Sequence, residues 1–334
     1  MPVLLAWVLV LLGVGISGGA EASLATVPTV ALVVGAPGDA ELGSNFLHQA
    51  QLWQAGAGKA GAHCFAIGVE TNAASSDYDA LKQLLSGEAK DGPAPLWLVL
   101  LGHGTFDGKE AKFNMRGPDV SATELADWLR PFHRPLVVID TSSCSAPVIN
   151  KLSGTNRVIV TATRSGHEQN FARFGQYFAD AITNDKADLD KDGQVSVLEA
   201  FLIASRDVAE FYKTESRLAT EHALLDDNGD GLGIPADWFR GVRAVKKPKE
   251  NTSVDGVLAG QFVLVPSRTD ALLSAEQRVQ RDALERAVFL HREKKSQMAE
   301  EQYYDELEKL LLQLAKFYQT NGPATRNESN APGT

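Results

Sequence analysis

Short apolar runs alternate with amphipathic stretches along the first half of the chain. Thr29–Val34, His63–Val69, Pro95–Gly102, Pro135–Asp140 and Arg157–Ala162 read as strands. Between them, Glu41–Gln54, Tyr78–Ser86, Ser121–Arg130 and Ala146–Leu152 carry apolar residues at helical spacing. This alternation predicts an α/β fold with a mostly parallel sheet, because parallel neighbours need a long crossover and the helices supply it. Leu96–Leu101 is apolar at every position, which predicts a central strand covered on both faces. Ligands of open α/β sheets gather beyond the carboxyl ends of the strands. Candidate chemistry is therefore expected at residues 35–39, 103–105, 141–146 and 163–166.

The pattern changes after Asn184, where Asp-rich loops run to about Asp237. A Lys-rich linker, Val245 to Thr252, leads to one further expected strand at Gly260–Val265. From Ser274 to Thr320, apolar residues such as Leu284, Val288, Leu290, Leu307, Leu310, Leu311, Leu314 and Phe317 recur at helical spacing, with a polar break near Ser296–Glu300. A helical hairpin is expected there, either packed on the protein itself or serving as an arm for a protein partner. Asn321 to Thr334 has the composition of a disordered tail. At the other end, the apolar run Val3–Ile16 gives way to Ala20-Glu21-Ala22, the pattern of a signal-peptidase site. Export to a periplasmic or extracellular space follows as the expectation, with membrane contact only through an uncleaved leader. The expected boundaries are 1–22 signal peptide, 23–245 main domain, 246–273 linker and strand, 274–320 hairpin and 321–334 tail.

Composition narrows the field of functions. With 44% hydrophobic and 22% charged residues the chain is an ordinary globular protein, and its net charge of −10 argues against a nucleic-acid partner. No organic cofactor is expected. Cys64 and Cys144 are the only cysteines, and an exported compartment lets them either bridge or remain thiols.

The Asp-rich segment holds the most specific motif. Asp188, Asp190, Asp192, Gly193, Ser196 and Glu199 occupy positions one, three, five, six, nine and twelve of an EF-hand loop, 188–199, in which Gln194 offers its backbone carbonyl. Alternating carboxylates suit a hard cation, Gly193 permits the sharp turn, and Glu199 closes the sphere, so Ca2+ is the expected cofactor. Apolar helix-like segments, Phe171 to Ile182 and Val197 to Tyr212, flank this loop. A second loop, 226–237, has Asp226, Asn228 and Asp230 at positions one, three and five, Gly231 at six and Asp237 at twelve. Pro235 interrupts the helix expected after it.

Two neighbouring strands end in reactive side chains. Leu96–Leu101 runs into Gly102-His103-Gly104, and Leu136–Asp140 runs into Thr141-Ser142-Ser143-Cys144. A histidine can hold a thiol as thiolate, and a glycine lets a backbone amide approach a developing oxyanion. The only Gly-x-Ser-x-Gly match, Gly15 to Gly19, lies in the leader, which removes the α/β-hydrolase alternative. Together with the RVIVTATRSG segment, these motifs give Thr29–Asp230 a sequence that resembles the legumain-like cysteine peptidases of the caspase clan, as an exported relative of bacterial type with EF-hand-like loops. The resemblance implies a three-layer sandwich and cleavage of a peptide or protein substrate, with His103 as general base or acid, Cys144 as nucleophile and Gly104 as oxyanion donor. The family places its nucleophile two residues after the acidic residue that ends the strand, and here that position is Ser142. Either a bulge re-aims Cys144 into the site, or the chain is an inert relative that keeps the fold and the calcium loops as a binding module.

Overall fold

The computed structural model describes residues 24–70, 76–249 and 253–321. The expected leader and residues 322–334 of the expected tail lie outside the described residues.

A six-stranded sheet forms the centre. Its strands are β1 (Thr29–Val34), β2 (His63–Ile67), β3 (Leu96–Leu101), β7 (Leu136–Asp140), β8 (Arg157–Thr161) and β9 (Leu224–Asp226), in the order β2-β1-β3-β7-β8-β9. The first five are parallel, and β9 closes one edge antiparallel to β8. All six residues of β3 are buried, as its unbroken apolar run requires. Between β3 and β7 the chain builds a small antiparallel sheet of β4 (Gly104–Phe106), β5 (Ala111–Phe113) and β6 (Val120–Ser121). A two-stranded ribbon of β10 (Phe239–Arg240) and β11 (Arg243–Ala244) follows later.

Alternation along the strands sorts the core into two faces. Val30, Leu32, Trp97, Val99, Val137, Ile139, Val158 and Val160 pack against α1 (Ala40–Ala60), α5 (Phe174–Ile182) and α6 (Val197–Thr214). Ala31, Val33, Leu98, Leu100, Leu136, Val138 and Ile159 face α2 (Asp77–Gly87), α3 (Ala122–Leu129) and α4 (Pro147–Leu152). The result is a mixed α/β fold with a mostly parallel central sheet between two helical layers.

The expected hairpin forms as α7 (Ala275–Glu293) and α8 (Glu300–Asn321), with the His291 ring stacked on Tyr303 at 4.9 Å where the helices meet. Leu311 and Leu312 of α8 stay 42% and 62% exposed, so that part of the apolar pattern is not spent on packing. The strand expected at Gly260–Val265 does not form. Phe262 accepts from the Val197 amide and Val263 makes one isolated bridge to Ser196, so this segment caps the start of α6 instead of joining a sheet.

Candidate functional site

All four expected loops meet at the carboxyl edge of the sheet. A Cβ on Gly38 would come within 3.1 Å of His103 Nε2, which itself lies 3.3 Å from the Pro37 carbonyl. The half-buried His103 ring stands edge-on to Phe46, with centroids 5.2 Å apart. Gly104 is where the β3 and β7 loops touch, since a Cβ there would sit 2.3 Å from the Ser143 carbonyl and 2.8 Å from Ser142 Oγ. Glycine is the one residue that tolerates this approach. The Gly104 amide faces Ser143 Oγ at 3.4 Å.

The β7 loop is buried and internally bonded. Ser142 donates from its hydroxyl (2.6 Å) and its amide (3.0 Å) to Asp140 Oδ1. Asp140 is wholly enclosed, and burial pushes its carboxyl up to about 6 against the opposing pull of the Ser142 bonds. Ser145 and the amide of Ala146 bond Thr163 of the β8 loop, and the Cys144 amide donates to the Glu168 carbonyl. Cys144 adopts a left-handed backbone, φ 60°, which non-glycine residues rarely take. Its side chain is 1% exposed, and burial followed by the Asp140 charge pushes the thiol pKa up. Among the described residues no hydrogen bond reaches this thiol. Arg164 is tied to Glu168, which also receives the His222 ring at 2.6 Å.

Both cysteines are free. Strand order explains why no bridge links them. Cys64 lies on β2 and Cys144 follows β7, three strand spacings away, or roughly 14 Å, far beyond disulfide reach.

Away from this edge, one carboxylate oxygen each from Asp188, Asp190 and Asp192 lies within 4.8 Å of the others. The loop wraps through its own amides. Asp188 Oδ2 accepts from Gly193 (3.1 Å), Asp190 Oδ1 from Asp192 (3.2 Å) and Asp192 Oδ1 from Gln194 (3.0 Å). Gly193 has φ 89°, the turn that its position demands. Burial, then the charges of Asp192, Glu199 and Asp188, push Asp190 up to about 6. Such crowding of like charges fits a cation between them. Glu199 stands beside the trio, with Oε1 accepting from the Leu189 (2.6 Å) and Asp190 (3.2 Å) amides and Oε2 held by the Ser196 capping box. Gln194 accepts the Ser267 amide through its side chain.

The second loop divides the expected residues. Asp226, Asn228 and Asp230 line one turn with the same amide pattern, Asn228 Oδ1 accepting from Asp230 and Asp230 Oδ1 from Leu232, both at 2.8 Å. Asp237 is elsewhere. Leu225 pairs with Ile234 in an antiparallel bridge, so the chain runs back beside β9 and carries the exposed Asp237 into a 3-10 turn three residues past that bridge. Pro235, which cannot donate to a helix, sets this course.

No protein-family model and no curated protein matches this chain. Among solved structures it is similar to the Drosophila initiator caspase Dronc, at 13% identity and TM-score 0.39 over 63% of this chain and 82% of that one. It is also similar to caspase-1 from Spodoptera frugiperda, at 8% identity and TM-score 0.36 over 60% of this chain and 86% of that one.

Proposed function

We propose that this chain is an exported calcium-binding scaffold whose sheet edge keeps the outline of a caspase-clan peptidase site without an activated thiol. One observation carries the reading: the Cys144 thiol is buried, and its pKa is pushed up by that burial and by the Asp140 charge. A nucleophilic cysteine needs the opposite, a partly open position where a positive neighbour holds the thiolate. The place that the peptidase pattern reserves for the nucleophile holds Ser142, whose hydroxyl is spent on Asp140. In the scaffold reading, Asp188, Asp190, Asp192 and Glu199 hold Ca2+, and the ion orders the chain between α5 and α6. The exposed leucines of α8 give it an arm for a protein partner.

A legumain-like peptidase acting on a peptide or protein substrate is the second reading, and the left-handed backbone of Cys144 favours it. Strain of this kind gathers at functional sites. In that reading His103 is the base and the Gly104 amide the oxyanion donor.

Labelling with thiol-directed acyloxymethyl ketones carrying varied P1 residues, in calcium, separates the two. The scaffold predicts a folded protein that binds calcium and leaves Cys144 unlabelled at neutral pH. Labelling at Cys144 that drops sharply in His103→Ala, with Cys144→Ala as the blank, would establish the dyad and the peptidase reading.

A further inference from the structure

We propose that Asp255, and not Asp237, supplies the closing carboxylate of a second cation site in the loop that begins at Asp226. The inference deepens the calcium-scaffold reading and rests on it for the class of cation.

The two loops can be compared atom by atom. In the first, position twelve is Glu199, whose Oε1 accepts the amides of Leu189 and Asp190, the second and third loop residues. In the second, the matching amides are those of Asp227 and Asn228. Both donate to Asp255 Oδ1, at 3.0 and 3.3 Å. Asp255 therefore occupies, from a separate segment, the place that Glu199 holds within its own loop. The first-position carboxylates correspond in place and differ in bonding: Asp188 accepts the Gly193 amide, whereas the Ser153 hydroxyl and the Gly229 and Gly231 amides lie near Asp226 without hydrogen-bonding it.

What points to a ligand is the set of oxygens left over. Among the described residues, Asp226 is 1% exposed and neither of its carboxylate oxygens has a hydrogen-bond partner. Asp255 is also 1% exposed, with Oδ2 unpartnered, and so is the buried Oδ2 of Asp230. The Asp230 charge acts on Asp226 and the Asp226 charge acts on Asp255, which makes these carboxylates neighbours, although among the described residues only the first trio converges within 4.8 Å. Buried carboxylate oxygens without partners are costly unless a cation takes the place of water. An all-oxygen set of this kind selects a hard divalent ion such as calcium.

Asp227 has a different role. Its two oxygens accept the Gly256 (2.9 Å) and Ala259 (2.7 Å) amides, which fasten the Asp255 segment to the loop whether or not an ion is present. The same segment reaches the first loop, through the Ser196–Val263 bridge and the Gln194–Ser267 bond. An ion held by Asp255 would thus join the two loops through residues 253–267.

The test is a calorimetric titration of the chelator-treated full chain with calcium, comparing wild type, Asp188→Asn, Asp237→Asn, Asp226→Asn and Asp255→Asn. Two sites are expected for wild type and Asp237→Asn, and one each for the other three variants. Retention of both sites in Asp255→Asn, or loss of one in Asp237→Asn, would overturn the assignment. A single wild-type site abolished by Asp188→Asn would leave the scaffold reading standing and sink this inference. A single site abolished by Asp255→Asn and kept in Asp188→Asn would uphold this inference and remove the first loop from the scaffold reading. Should Asp255→Asn fail to fold, hydrogen exchange on the wild type decides: calcium is expected to slow exchange across residues 253–262 together with 226–232. Protection confined to 226–232 would exclude Asp255.

Discussion

Asp140 sits at the hinge between the two readings of the sheet edge. Its carboxyl is pushed up to about 6 by burial, and among the described residues the only groups that bond it are those of Ser142. Because the folded state holds this proton more tightly than the unfolded chain, stability falls as pH rises from about 4 to about 6 and stays lower above that window. This difference in proton affinity corresponds to about 3 kcal/mol. Asp140→Asn keeps an oxygen for both Ser142 donors and removes the charge. The variant is expected to be more stable than wild type at pH 7 by up to that amount, with the gain gone at pH 4, as measured by urea unfolding at the two pH values. The same substitution relieves Cys144 of the nearby negative charge, so its thiol should titrate lower, which thiol-reagent kinetics against pH would report. His103 and Gly104 were legible from their place after an apolar strand. The environment of Cys144 was not, since burial is a property of the packed loop.

At the scale of single elements, the first acidic loop and α6 share one residue. Glu199 closes the loop and also completes the capping box with Ser196 at the start of α6. Glutamine serves a capping box as well as glutamate does, but it is a weaker ligand for a divalent ion. Glu199→Gln should therefore unfold within about 1 kcal/mol of wild type in chelator, while its calcium affinity falls on the order of 10- to 100-fold. A large loss of stability in chelator would mean that Glu199 acts mainly as a cap. The elements themselves were mostly readable: β1 spans Thr29–Val34 as expected, and α7 and α8 part at the anticipated break. Gly260–Val265 misled because an apolar run signals burial, and the segment is buried against the start of α6 without pairing along its length.

For the whole molecule, the two acidic loops lie outside the parallel core, and residues 253–267 run between them. Ions bound only by the folded state stabilise it by mass action, about 2.7 kcal/mol per site at a hundredfold excess over Kd. Calcium at that excess should raise the melting temperature by about 4 °C per occupied site for a chain of this size. Chelator should reverse the rise, and Asp188→Asn should retain only the increment of the second loop. Melting that ignores both calcium and chelator would remove the ion from the account of stability.

Local patterns in the sequence determined the strands, the crossover helices, the doubly covered centre and the first acidic loop, because periodicity, caps and loop spacing act between residues close along the chain. Only the tertiary structure decided what depends on distant segments meeting. Strand order keeps Cys64 away from Cys144, and the enclosed β7 loop raises the Cys144 thiol. The return of the chain beside β9 takes Asp237 from the second loop and leaves Asp255 in its place. Burial and charge are sums over neighbours in space, and such neighbours can lie far apart along the chain, as Asn45 and Gln176 do across 131 residues.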